Sequence, residues 1–382
     1  MKVLHLCLGN FYIDNYSYQE NMITKYHKEM GYDVKILASL VTFDSNGNLS
    51  YLDEASEYVN SDGIPVTRLN YKKPTKFYKR FRRYVGTFEE IERFAPDVLF
   101  IHEFQFMDID KVVKYIKLHP EVKVYVDNHA DFSNSATNFL SKNILHKIFW
   151  YRCGKLIEPY AKKFYGVLPS RVEFLKNVYK INPNKIELLV MGADDKLAAE
   201  AAKPEKVKAL RDKYKIADDD FLIVTGGKID LFKTQTLLLM EAVNRMKNPK
   251  VKLLVFGSVV NELKEKINAL CSDRVKYIGW IKSDDSYDYF AASQLAVFPG
   301  RHSVFWGQVA GQGIPMIVKY WDGTDDVDLG GNLMFLYKDS VDEIENSINA
   351  AIKNYDAMKK VAEDKAYVFS YRDIAKRSIS ED

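Results

Sequence analysis

Three cysteines are present in 382 residues, Cys7, Cys153 and Cys271, far apart and without a CxxC pair. Their scarcity excludes a disulfide framework and a cysteine-based zinc site, and reduced thiols suit a cytoplasmic location. Nowhere do about 18 apolar residues follow one another, so no membrane-spanning helix is expected. The opening MKVLHLCLGN is soon followed by Asp14. That run is too brief for a signal peptide and reads as a buried first strand. No G-x-G-x-x-G follows it, which disfavours a dehydrogenase, and there is no P-loop. The formal net charge is only +3, which gives no reason to expect a nucleic-acid partner. Residues 1–190 carry 27 basic against 22 acidic side chains, so +5, and the remainder carries 28 against 30, so −2.

What is present is an ordinary globular composition, 47% apolar and 28% charged, in a chain long enough for two domains. Short Val/Ile/Leu-rich runs alternate with longer amphipathic stretches. The first half has expected strands at 2–8, 33–38, 97–102, 122–127 and 165–169, with helices near 17–31, 76–94, 108–118 and 141–163. The pattern restarts with strands at 220–226, 251–257, 275–279, 295–300, 315–320 and 333–337. Near-continuous apolar strands separated by helices indicate parallel sheets covered on both faces. The expectation is an α/β protein of two Rossmann-like domains facing a central cleft. The domains are read as 1–197, 198–365 and a C-terminal helix over 366–382. Ligands of such sheets bind beyond the carboxyl ends of the strands, where strand order reverses.

Strand-end motifs therefore carry the chemistry. In GGKIDLFKTQT (226–236), Gly226 and Gly227 permit a tight turn whose amides approach a ligand closely. Lys228 and Lys233 flank the following helix start, where an anion is favoured. A phosphate clamp and a solvated turn are both open readings. In LAVFPGRHSVFWGQVAGQGIPMIV (295–318), Arg301, His302 and Ser303 stand at a helix start, and Gln308 can donate and accept hydrogen bonds. Gly307 and Gly311 share one helix face and imply close backbone packing. Gly257 and Ser258 end a central strand. Gly279 and Trp280 follow another, and Trp280 suits either base stacking or a core. On the first half, VYVDNHAD places His129 just past a strand end. His102 has a similar position, and Asp131 suits an acceptor contact or a loop cap. Gly9 lies in the first strand-end loop. His5, His27, His119 and His146 read as structural or surface residues. No convincing pair of catalytic carboxylates is evident. The segment 70–86, NYKKPTKFYKRFRRYVG, has seven Lys/Arg interleaved with aromatics, and no acid occurs from Gly63 to Phe88. Read as an amphipathic helix, it suits an anionic membrane face or a solvated surface.

Taken in order, these motifs resemble the retaining glycosyltransferases of family four, which have the GT-B fold. GGKxxxxK is similar to the family's diphosphate-binding turn, with Lys228 at the family's arginine and Lys233 at its lysine. The run Gln308–Pro315 matches its glutamate-and-glycine segment. NKIELLVMGADD and FSYRDIAKR resemble its domain seam and its C-terminal helix, which implies that 366–382 crosses back to the first domain, and DVLFIHE and VYVDNHAD resemble its N-domain histidine positions. The sequence departs from the family's paired glutamates: the second falls on Gln308 and the first on Gly300. The loop is shorter, with His302 in the space of the first. The glycine-rich N-terminal loop is replaced by GNFYIDNYSYQEN. The resemblance implies a metal-independent transferase without cofactors that moves sugar from a nucleotide diphosphate donor, a UDP-sugar favoured over a GDP-sugar. Retention of configuration and a role in cell-surface polysaccharide synthesis are implied. The implied acceptor is a glycan or a polyprenyl-diphosphate-linked sugar at the inner face of the plasma membrane. Catalytic roles are implied for His129, Lys228 and Lys233. A catalytically silent binder of a glycan or partner and a sugar-nucleotide epimerase are the alternatives.

Overall fold

A computed structural model describes residues 1–9, 11–44, 48–232 and 234–380. The chain divides into two compact units, 1–190 with 374–382, and 191–373. The division falls before the seam expected at 198. Met191–Asp194 belongs to the second unit because its backbone lies on the helix Phe305–Gly311. A Cβ on Gly307 would stand 2.2 Å from the Met191 carbonyl oxygen, and one on Gly311 2.6 Å from Ala193 Cβ. Glycine at both positions is thus explained by a neighbouring chain segment. The return also begins later than 366, since Ala193 N–H donates to the Phe369 carbonyl at 2.8 Å within the second unit.

The first unit is built on an eight-stranded sheet. Across it lie Ile186–Leu188, Ala161–Gly166, Lys123–Asn128, Val98–His102, Lys2–Cys7, Asp33–Ala38, Pro65–Arg68 and Ser56–Val59. All pairs are parallel except the last. Central strands such as Val98–His102 are buried along their whole length, as two-sided coverage by helices requires. The second unit has a six-stranded parallel sheet, ordered Val275–Tyr277, Val251–Phe256, Phe221–Gly226, Leu295–Phe298, Met316–Lys319 and Leu333–Leu336. Strand order reverses beside Lys2–Cys7 in one sheet and between Phe221–Gly226 and Leu295–Phe298 in the other.

Two expected helices are interrupted. The stretch 76–94 becomes Lys76–Phe81 and Thr87–Phe94, because Arg82 (φ 53°) and Gly86 (φ 83°) turn left-handed between them. The basic segment is therefore not one amphipathic helix. The helical stretch 141–163 stops at Ile157, where the chain turns into the strand Ala161–Gly166, earlier than the strand expected at 165. Among the described residues no helix is long and apolar enough to cross a membrane.

Candidate functional site

Two strand-end sites emerge, one in each unit. In the second unit the loops leaving Phe221–Gly226 and Val251–Phe256 stay paired beyond the sheet. Gly227 N–H donates to the Phe256 carbonyl at 3.1 Å and Ile229 N–H to the Ser258 carbonyl at 2.8 Å. Only glycine fits this pairing. A Cβ on Gly226 would lie 2.1 Å from the Phe256 ring, and one on Gly257 (φ 128°) 1.8 Å from the Gly227 carbonyl oxygen. The result is a hollow of about 30 Å³ lined by Gly226, Gly227, Lys228, Thr236, Arg301 and Ser303 among others. It sits at the reversal of strand order, where ligands of such sheets bind. Its size suits one small anionic group rather than a whole nucleotide.

The Lys228 side chain is 64% exposed, with Nζ 3.7 Å from Asp230 Oδ2. Arg301 lies over the Phe232 ring at 5.9 Å. Ser303 Oγ accepts from Phe305 N–H at 3.3 Å, just before the helix Phe305–Gly311. Lys233 lies outside the described residues. The remaining donor-side candidates do not line the hollow. His302 packs edge-on against Trp306 at 4.8 Å. Gln308 is buried, its amide donating to Ser286 Oγ at 2.9 Å and Gln312 Oε1 at 3.3 Å. Gly279 accepts from Gly257 N–H at 2.8 Å. Trp280 is 70% exposed, so it is no core residue. Ser258 is exposed.

In the first unit a line of buried groups crosses the sheet. His27 Nε2 lies 2.8 Å from the Ala375 carbonyl, His27 Nδ1 3.0 Å from His5 Nε2, and His5 Nδ1 3.0 Å from His102 Nε2. His102 Nδ1 lies 2.7 Å from Asp127 Oδ2. A carbonyl and a carboxylate close the line, and Ser378 Oγ, which can donate, lies 3.3 Å from His27 Nε2. Contact with His102 and His129 outweighs burial and holds the Asp127 carboxyl well below the usual carboxylate range. Burial, reinforced by the neighbouring histidines, pushes His5 well down. Burial also brings His27 down to about 4, against the pull of the Ala375 carbonyl.

His129 stands at the far side of Asp127, with Nε2 3.3 Å from Oδ1 and the side chain 16% exposed. Its N–H donates to Glu103 Oε1 at 3.1 Å. Burial works against its cation, but Asp127, Glu20 and Glu103 outweigh that and raise its pKa. Burial raises Glu20 and Glu103 as well, against the opposing pull of His129 on each. Glu103 is held at φ 60°, a strained value for a residue with a side chain. Its carbonyl lies where a Cβ on Gly9 would be, at 2.2 Å. Three carboxylates thus surround His129, where the sequence offered no convincing pair. They come from residues 20, 103 and 127, and no local spacing announces them.

Two first-unit candidates change role. His102 is fully buried with both ring nitrogens engaged, so it supports Asp127 rather than meeting an acceptor. Asp131 caps its own loop: Oδ1 accepts from Ser133 N–H at 2.7 Å and Asn134 N–H at 3.2 Å, and Oδ2 lies 3.3 Å from Arg171 Nε. His102, Asp127 and His129 are also the group of potential metal ligands among the described residues. Binding a metal there would break the His102–Asp127 contact, so the donor set suits the histidine line better than an ion.

No protein-family model and no curated protein matches the chain. Solved structures do. A glycosyltransferase from Rickettsia africae is similar with a TM-score of 0.67 at 15% identity, covering 98% of this chain and 96% of that one. HepE of Anabaena, solved with UDP, gives 0.65 at 16% identity over 99% and 98%. The UDP-GlcNAc 2-epimerase of Neisseria meningitidis, bound to UDP-GlcNAc, gives 0.62 at 13% identity over 99% of each chain. The fold is the mixed α/β GT-B fold of two Rossmann-like units. At these identities the likeness speaks for fold.

Proposed function

We propose that this protein is a glycosyltransferase that moves a sugar from a nucleotide diphosphate-sugar, a UDP-sugar first, to a glycan or lipid-linked acceptor. The observation that carries the reading is the glycine turn Gly226–Gly227 with Lys228 and Arg301 around an anion-sized hollow at the strand-order reversal. Preorganised cations and amides aimed at charge that grows in the transition state are often the largest catalytic term. Here that charge grows on the β-phosphate as its bond to the sugar C1 breaks. The acceptor oxygen bonds C1 on the same face, giving retention, and its proton passes to the departing phosphate. Lys228 and Arg301 stabilise that phosphate, with Lys233 added on sequence grounds. His129 positions the reacting sugars from the first unit. The scheme asks for no metal and no cofactor. Synthesis of a cell-surface polysaccharide at the cytoplasmic face of the membrane completes the proposal.

A thermal-shift titration with UDP, GDP and ADP tests it. A nucleotide at about 100 times its Kd adds about 2.7 kcal/mol of stability, and Lys228→Ala, Arg301→Ala and Lys233→Ala should each reduce the shift. No shift with any diphosphate would sink the donor assignment. A second reading, a silent GT-B binder, is favoured by Gln308, which replaces the family's glutamate and is engaged with Ser286 and Gln312. Binding without turnover on a panel of sugar donors would select it. Conversion of UDP-GlcNAc without acceptor would select an epimerase.

A further inference from the structure

The first unit contains a much larger cavity, of about 560 Å³, on the Gly9–Glu103 side of its sheet. Its wall carries Lys76, Lys79, Arg80 and Arg82, and among the described residues no aspartate or glutamate lines it. The same segment shows that this imbalance is local. Arg83 faces away and pairs with Asp108 at 3.6 Å and Asp110 at 3.5 Å. Among the described residues, none of the four cavity cations has a carboxylate at ion-pair distance. Two of them, Lys79 and Arg82, are nevertheless held in place. Lys79 Nζ lies 3.9 Å above the Tyr51 ring. Arg82, turned inward by its left-handed backbone, donates to the Gln105 carbonyl at 2.8 Å and to the Gly9 carbonyl. Its guanidinium lies 5.8 Å from the Trp150 ring centre.

Tyr51, 38% exposed, also lines it, while the stacked Tyr71 and Tyr84 and the Trp150 ring are buried beneath it. Ser39, Ser135 and Asn134 add hydrogen-bonding groups. His146 also lines the cavity, between Ser135 Oγ at 3.0 Å and the Tyr179 hydroxyl at 2.6 Å. Burial, reinforced by Arg82 and Arg80, brings it down to about 4, so it adds no charge at neutral pH. Gathered, uncompensated cations in a partly desolvated wall repel one another, and an anion relieves that repulsion. The exposed Tyr51 ring beside them suits the apolar face of a sugar ring. The cavity also adjoins the histidine site: Asn134 Nδ2 donates to the His129 carbonyl at 2.7 Å.

We propose that this cavity is a binding site for an acidic sugar, one bearing a phosphate or carboxylate, held by Lys76, Lys79, Arg80 and Arg82 beside the exposed ring of Tyr51. Resting on the glycosyltransferase reading, it makes the acceptor an acidic glycan and assigns these cations to a cavity rather than to a lipid surface.

Glucose 1-phosphate, glucuronate and methyl α-glucoside are the probes, with binding followed by saturation-transfer NMR on the full chain. The two anionic probes should bind, more weakly as ionic strength rises, and methyl α-glucoside about tenfold less well or worse. The triple variant K76A/K79A/R80A should lose the anionic probes by about tenfold or more. The variant K72A/K73A, in the same segment but off the cavity, should bind like the wild type. Arg80→Gln alone gives a smaller loss and guards against misfolding of the triple variant. Equal binding of charged and neutral probes, or full binding by the triple variant, overturns the site. Equal losses in K72A/K73A, together with capture of the wild type by phosphatidylglycerol vesicles, would assign the segment to lipid instead and equally overturn it. Lys228→Ala should leave glucose 1-phosphate bound, and the triple variant should keep its UDP shift. Failure of the donor reading thus registers separately, as a wild type that ignores UDP.

Discussion

The two units close their parallel sheets alike and build their strand-end sites in opposite ways. In residues 191–373 the hollow is made by neighbours in sequence: Gly226, Gly227 and Lys228 leave one strand, and Arg301 and Ser303 follow another. In the first unit the site is assembled from His5, Glu20, His27, His102, Glu103, Asp127 and His129, brought together by four separate elements. The first design depends on backbone shape. The second depends on buried charge. Substitutions should therefore fail for steric reasons in one unit and electrostatic reasons in the other.

The largest effect is expected where backbone shape leaves least room. Gly257→Ala must place a methyl 1.8 Å from the Gly227 carbonyl oxygen at a backbone φ of 128°. Strain and overpacking each cost about 1–3 kcal/mol, so a loss of about 4 kcal/mol is expected by denaturant unfolding, along with any UDP shift. A loss below about 1 kcal/mol, within the range of ordinary surface changes, would show that the paired loops are not rigid.

In the first unit, Asp127→Asn removes the counter-charge of the histidine line while leaving its shape. Breaking a buried pair from one side costs about 3–5 kcal/mol. The expected accompaniment is a change in the His102 ring nitrogen shifts by NMR, since His102 Nδ1 lies 2.7 Å from Asp127 Oδ2. Unaltered shifts would contradict that contact.

This contrast also explains what was legible in the sequence. Strand periodicity located the six strands of the second sheet, and the Gly-Gly-Lys turn located its hollow, because both are local patterns. Long-range pairing was not. The short strands Ser56–Val59, Pro65–Arg68 and Ile186–Leu188 have too few residues for an alternation to register. His5 and His27 look like ordinary members of a strand and a helix until the fold sets them 3.0 Å apart. The same holds for Glu20 and Glu103. The break at Arg82 was hidden because left-handed arginine has no sequence signature, unlike the glycine at 86. The resemblance placed Gln308 at a ligand, whereas its amide is spent on Ser286 and Gln312.

Acid should separate the units further. His27 has a folded pKa of about 4 against an ordinary 6.5, since burial disfavours its cation. As pH falls from about 6.5 towards 4 the unfolded chain gains a proton that the folded one refuses. Stability then drops by on the order of 3 kcal/mol from this residue, with His5 acting in the same sense. His129 has the opposite sign: its raised pKa adds stability that is full below about 6.5 and is lost as pH rises through the folded value. Asp127, whose folded pKa is depressed, contributes above about 3.9 and loses that only at lower pH. The second unit holds a single histidine, His302. Hydrogen exchange at pH 5 compared with pH 7 should therefore show the first unit opening first. Uniform loosening of both units would break the comparison.

The smallest effect on stability, and the sharpest on binding, is expected at Lys228. Its side chain is 64% exposed and its contact with Asp230 spans 3.7 Å. Exposed pairs of this kind contribute about 0–1 kcal/mol, so Lys228→Ala should unfold within about 1 kcal/mol of the wild type. A diphosphate in the hollow would meet that ammonium as a charge-assisted contact, and its loss should weaken UDP about tenfold, or about 1.4 kcal/mol. Lys228→Arg, which keeps the charge, should recover most of the affinity. Because the fold does not lean on this side chain, any lost binding reports on the ligand alone. Unchanged UDP affinity in Lys228→Ala, with stability intact, would mean that the cation at the second unit's turn is a solvated surface group. The hollow would then owe whatever it binds to glycine amides and Arg301.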